Sequence, residues 1–147
     1  GTVVTILARM AKADLTSFAS ASYKDIPSGK WYSEAAAWAR SAGIIPADGF
    51  DAKAAVSRGD LAQMLVKYFD FMKIPYTTPT ETVAFADAAS MTAAENTAFQ
   101  ILNSANIFKG VGNNNMNAAG LTMRCEMVTL VHRLYTYTQA QTTAVNP

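Results

Sequence analysis

One helical pattern of apolar residues occurs three times in this chain, and repeats of this length bury their apolar faces by stacking copy on copy. After Ser57, apolar side chains stand at Leu61, Met64, Leu65, Tyr68, Phe69 and Met72. The steps are those of one face of an amphipathic helix. Beyond Arg124 the same places hold Met127, Leu130, Val131, Leu134 and Tyr135. Near the start they hold Val3, Ile6, Leu7, Met10 and Ala11, and "VVTILARM" and "MVTLVHRL" also share Thr5/Thr129 and Arg9/Arg133.

A second pattern precedes two of these helices. It is an aromatic-x-Asp turn followed by an alanine-rich helix, in "YKDIPSGKWYSEAAAWARSAGII" and again in "FADAASMTAAENTAFQILNSANIF". Tyr23 and Asp25 correspond to Phe85 and Asp87. The expected buried stripes are Ala35, Trp38, Ala39 and Ala42 in the first copy, and Ala98, Ile101, Leu102 and Ala105 in the second. Gly43 and Asn106 are placed to end these helices in the left-handed conformation that such residues tolerate. The loops "PADGFDAKAAV" and "KGVGNNNMNAAGL" each carry an apolar plug, Phe50 or Met116, among turn formers. "KIPYTTPTETVA" reads as a Pro/Thr-rich connector, and the residues from about Gln139 as a polar tail or linker without pattern.

Composition removes several functions. Twelve Lys and Arg against eleven Asp and Glu leave a net charge of +1, too little for a face that meets nucleic-acid phosphates or an anionic membrane. No apolar run approaches the roughly 20 residues of a bilayer span. "GTVVTILARM" lacks the basic segment and small-residue cleavage site of a signal peptide. One cysteine, Cys125, excludes an internal disulfide. It reads as a small residue near a helix start, where a thiol gains acidity.

The order aromatic-x-Asp, Trp, Ala-rich helix, Gly-Ile-Ile, a loop with Phe, then Ser-Arg-x-Asp and a helix resembles the S-layer homology (SLH) module. "YKDIPSGKWYSEAAAWARSAGII…GF…VSRGDLAQML" carries the resemblance closely, "FADAAS…AFQILNSANIFKGVGNNNMN…TMRCEMVTLVHRL" more loosely. On this likeness residues 1–15 hold the final helix of a truncated first module, 16–76 a second module, 77–138 a third, and 139–147 the tail. Gly1 aligns with Gly59 and Cys125, so the pattern expects an arginine immediately before it, and a start at a bond that trypsin-like proteases cut. The resemblance implies an all-α fold of tandem helix-loop-helix repeats packed as a pseudo-threefold bundle, a three-prong spindle. It also implies a secreted bacterial protein held on the cell wall, or S-layer, by a secondary cell-wall polysaccharide or peptidoglycan-linked glycan, often pyruvylated, in grooves between modules. An incomplete first module leaves room for an oligomer that completes it.

The residues suit that role. Ser57 can accept a hydrogen bond from the Asp60 N–H, and Asp60 can return one to the Ser57 backbone. Arg58 then stands at the first helical position, where a guanidinium and a helix N-terminus together suit a carboxylate. Trp31 offers a flat face to a sugar ring, and Lys30 a second positive charge. Arg124 is the equivalent of Arg58 in the third module. Each has a plainer reading. Arg58 would bridge neighbouring modules, Trp31 would line a core or groove wall, Asp25 would cap the turn into its own helix, with Asp87 its counterpart, and Asp60 and Glu126 would be helix caps. The third module departs from the pattern: Met123 stands where Ser57 does, Thr122 comes one residue early, and no tryptophan matches Trp31.

Arg58-Gly59-Asp60 also spells an adhesion tripeptide. Wound into a first helical turn with Asp60 committed to a cap, it would not splay as such recognition requires. Enzyme chemistry finds no support. The carboxylates fall at helix starts and turns rather than as an opposed pair across a cleft. His132 aligns with Val66 and Ala8 at the edge of a helix stripe, without partners for zinc. "KGVGNNNMN" lacks the residues of a phosphate or calcium loop. No cofactor is expected. The competing function is a protein-interaction or assembly module on a degenerate SLH scaffold.

Overall fold

The computed structural model describes residues 1–21 and 23–145. They form five α-helices and no strand: α1 (Thr2–Met10), α2 (Ser33–Ser41), α3 (Arg58–Met72), α4 (Ala93–Ser104) and α5 (Arg124–Val145). The chain divides into two compact units, Gly1–Ala54 and Ala55–Pro147. Its divisions therefore differ from those of the repeats, because the last helix of one repeat packs on the first helix of the next.

In the first unit α1 packs on α2. Val4, Leu7 and Ala8 are buried on α1, and Ala35 to Ala39, including Trp38, on α2. Of the expected stripe, Ala35, Trp38 and Ala39 are buried and Ala42, just past the end of α2, is half-buried; Ala36 and Ala37 are buried as well. Gly43 takes φ 71°. The N–H groups of Gly43 and Ile44 then reach back to the Arg40 and Ala39 carbonyls at 3.0 and 2.8 Å. This closure satisfies carbonyls the helix end would otherwise orphan and turns Ile44 and Ile45 into the core. Asn106 (φ 57°) ends α4 in the same way. Lys73 and Lys12 do so after α3 and α1, at φ 55° and 50°. Lysine gives no sequence signal for that conformation.

In the second unit α3 packs on α4. Leu61, Leu65, Tyr68, Phe69, Phe99, Leu102, Phe108, Met116 and Leu134 are buried there. Phe99 meets Phe108 edge to face at 5.2 Å, and Phe69 stacks on Tyr137 at 5.4 Å, geometries that add to simple burial. Burial pushes the Tyr68 phenol up to about 12.

Three helix starts show graded forms of one cap. At α4, Thr92 and Glu95 form a complete capping box. At α3, Ser57 Oγ accepts from the Asp60 N–H at 3.0 Å, but the shorter Asp60 carboxylate takes the Ser57 hydroxyl at 2.7 Å. At α5, Glu126 accepts from the Met123 N–H at 2.9 Å, and Met123 has no hydroxyl to reciprocate. The Thr122 hydroxyl is buried without a hydrogen bond.

The repeats are visible in the bonding. Asp25 accepts from the N–H of the plug Phe50, and Asp87 from those of the plug Met116 and of Asn117. The Gly1 nitrogen donates to the Ala52 carbonyl, and its counterpart Gly59 to that of Ala118. α5 continues to Val145 where the sequence suggested a tail from Gln139. Ala, Gln and Thr are acceptable helix residues, and no Gly or Pro interrupts them before Pro147. Asn146 and Pro147 lie outside the described residues.

Candidate functional site

Arg58 opens α3, and its backbone N–H donates to the Gly120 carbonyl at 2.8 Å. Its side chain turns inward. Nε donates to the Met116 carbonyl at 2.8 Å, Nη2 to the Lys109 carbonyl at 2.9 Å, and Nη1 to Glu126 Oε1 at 2.8 Å. The guanidinium also lies 4.9 Å from the centre of the Phe108 ring. Arg58 is only 4% exposed. Burial lowers its pKa, while Glu126 and then Asp87 raise it, and a guanidinium stays charged at neutral pH through such opposition. The bridging role read for Arg58 is thus met by three partners far along the chain.

One edge of this guanidinium forms part of the wall of a cleft of about 390 Å³. Lys109, Gly110, Val111, Glu126, Thr129, Leu130 and Arg133 complete it. Three cations face one carboxylate there, and that carboxylate is already paired. Lys109 is exposed, and among the described residues its ammonium makes no hydrogen bond. Arg133 is half-buried and spends one N–H on the Ile107 carbonyl at 3.3 Å. Such a cleft offers an anion the exposed Lys109 and the half-buried Arg133 beside Val111 and Leu130. It joins residues of the second repeat to residues of the third.

The other residues singled out from sequence are dispersed. Trp31 is 69% exposed, edge-on to Tyr32 at 5.4 Å. Tyr32 takes the buried place, so the indole presents an open face, with the exposed Lys30 beside it in the chain. Arg124 is exposed at the first position of α5. Asp25 does more than cap a turn. Its two oxygens take both Arg40 Nη groups at 2.7 Å, besides the Phe50 N–H. Arg40 and then Phe50 hold this carboxyl well below the usual carboxylate range. Asp60 is tied to Ser57, and with Arg58 buried the tripeptide is not displayed as an adhesion loop. Lys109, Arg133 and Arg40 were not singled out as site residues. The signal for Arg133 was its recurrence as Arg9 in the repeat; Lys109 gave none.

Among the described residues no cluster of three or more His, Cys, Asp or Glu could hold a metal. Cys125 is exposed and unpaired in any disulfide. No described helix is long and apolar enough to cross a membrane.

Residues 22–62 match the family model of the S-layer homology domain. Over these residues the chain is similar to an S-layer homology domain. The match runs from the turn before α2 into the first turns of α3, taking in Asp25, Lys30, Trp31, Ser57, Arg58 and Asp60. An S-layer homology domain is a binding and anchoring module, which points to cell-wall attachment at the cell surface in general terms. No curated protein and no solved structure gave a significant match.

Proposed function

We propose that this chain anchors an exported bacterial protein non-covalently to the cell wall. Its ligand is an anionic secondary cell-wall polysaccharide, and pyruvate ketals supply the carboxylates. The observation that carries this reading is the S-layer homology match over residues 22–62. The cationic cleft supports the choice of an anion. Lys109 and Arg133 meet the carboxylate, and Arg58 holds the wall behind them. Trp31 and Lys30 form a second contact, with a sugar ring against the open indole face. Arg124, exposed at the start of α5, adds a further positive charge along the polymer. Several modest contacts on one polymer give firm attachment through effective concentration. The pseudo-threefold packing implied by the resemblance belongs to the same proposal, as do the module limits 1–15, 16–76 and 77–138.

One observation favours a second reading, an assembly module without glycan binding: the Arg58 guanidinium is already engaged by Glu126 and two carbonyls. Co-sedimentation with purified wall polysaccharide separates the two. The wild-type chain is expected to pellet with the polymer, and the Lys109→Glu, Arg133→Glu double variant to stay in the supernatant while keeping its circular dichroism. Binding that survives removal of the pyruvate groups would end the anionic reading. A wild-type chain that never pellets, yet forms complexes indifferent to the polymer, would favour assembly.

A further inference from the structure

Residues 75–84 lead from α3 to the aromatic-x-Asp turn at Phe85 without helix or strand. Both ends of this segment are held within the second unit. At one end the Tyr137 hydroxyl donates to the Pro75 carbonyl at 3.0 Å, and the Tyr76 hydroxyl to Asp70 at 2.8 Å. At the other the Gln100 side-chain amide accepts from the Val83 N–H at 2.9 Å and donates to the Val83 carbonyl at 2.7 Å. Between these anchors, residues 77–82 make no hydrogen bond among the described residues, by backbone or by side chain. They form an irregular strap.

The strap reads Thr77-Thr78-Pro79-Thr80-Glu81-Thr82, and all its threonines are exposed. Threonines elsewhere spend their hydroxyls. Thr97, Thr129, Thr136 and Thr138 donate to the carbonyl one helical turn back, and Thr16 and Thr92 to a neighbouring carboxylate. Outside the strap only Thr2, wound into α1, and Thr122, whose hydroxyl is buried, lack a partner among the described residues. An enzyme that modifies a protein hydroxyl needs its acceptor exposed, unpaired and on a backbone that can lie in its cleft as a strand. Pro79 keeps Thr78 out of the helical conformation, and the N–H and C=O groups of the strap are unclaimed. Proline-spaced threonines with few charges are the composition of segments that carry O-linked sugar.

We propose that this strap is a site of O-glycosylation, with Thr77, Thr78, Thr80 and Thr82 as acceptors and a sugar carried on a phosphate leaving group as donor. The threonine Oγ1 attacks the anomeric carbon, and the new C–O bond replaces the bond from that carbon to the phosphate oxygen. The phosphate departs with the electron pair, and the hydroxyl proton passes to a base of the transferase. Phosphorylation of the same hydroxyls is the competing modification. Glu81 stands between Thr80 and Thr82, and no Lys or Arg lies in sequence between Lys73 and Lys109 to pair a phosphate, which favours a neutral sugar. The attached sugar covers a strap that otherwise offers proteases an exposed, unbonded backbone. The proposal takes from the proposed function only that the chain is exported, and owes nothing to the cationic cleft.

The test uses the chain as its own cells make it. Purified from the cell envelope and cut by trypsin after Lys73 and Lys109, it yields residues 74–109 as one peptide. The mass of that peptide is expected to exceed the sequence mass by one or more hexose or N-acetylhexosamine units. Electron-transfer fragmentation should place them on the strap threonines and leave Thr92 and Thr97 bare. Thr77→Val, Thr78→Val, Thr80→Val and Thr82→Val together keep the β-branched shape, and should abolish the increment with circular dichroism unchanged. Envelope protein with a bare 74–109 peptide would overturn the proposal and leave wall anchoring standing, since co-sedimentation scores that separately. A chain recovered bare and only from the cytosol would overturn both. Increments on Thr92 or Thr97, increments that survive the quadruple replacement, or phosphate in place of sugar would equally overturn the assignment.

Discussion

Replacing Arg58 by alanine removes four contacts at once. The Met116 and Lys109 carbonyls lose their donor, Glu126 loses its cation, and Phe108 loses the guanidinium over its ring. A hydrogen bond from a charged donor contributes about 1.5–3 kcal/mol when its acceptor is left dry. The Met116 bond is buried and keeps that value. The Glu126 side chain is 30% exposed, so water compensates much of its loss and about 1 kcal/mol remains. The cation–π contact adds about 0.5–1 kcal/mol. The expected loss is about 3–5 kcal/mol, a large fraction of the roughly 5–15 kcal/mol that holds a domain together. Urea titration followed by far-UV circular dichroism would read this as a midpoint lowered by about 1–2 M. Arg58→Lys keeps the charge but not the planar fork, and should fall between. An Arg58→Ala midpoint within about 0.3 M of wild type would refute the reasoning. Wall binding lost with that midpoint intact would return Arg58 to the ligand.

Met123→Ser supplies the hydroxyl that Ser57 and Thr92 give α3 and α4, and Glu126 already makes the reciprocal bond. Because the Met123 side chain is exposed, a gain of about 1 kcal/mol in urea unfolding is expected; no gain would show that position 123 cannot adopt cap geometry. Asp25 has a folded pKa below its unfolded value near 3.9, so its stabilisation is present above that value and is lost as pH falls towards the folded one. The stability difference between wild type and Asp25→Asn should therefore shrink below about pH 4; parallel stability–pH curves would contradict the Arg40 pairing.

What could be read from sequence was what depends on near neighbours. The Ser57–Asp60 cap and the left-handed Gly43 and Asn106 involve residues a few positions apart, and local chemistry fixes them. The capping box of Thr92 and Glu95 is equally local. The helical character followed from periodicity. What could not be read is set by partners remote in sequence. Arg58 finds its partners 51, 58 and 68 residues away, and nothing in "VSRGDL" says whether its side chain turns out to a ligand or in to a carbonyl. Asp25 behaves alike: Arg40 lies 15 residues away and Phe50 25. Trp31 was ambiguous because Tyr32, next to it, competes for the same buried place.

The stagger between repeat and packed pair has a consequence for anyone cutting or shuffling such genes. A junction at the edge of the matched segment, after residue 62, runs through α3 and severs it from α4. A junction at Ala54–Ala55 leaves both pairs whole. Recombinant chimaeras spliced in that loop should retain soluble expression, whereas those spliced at borders drawn from sequence similarity would exchange half-helices that have no mate.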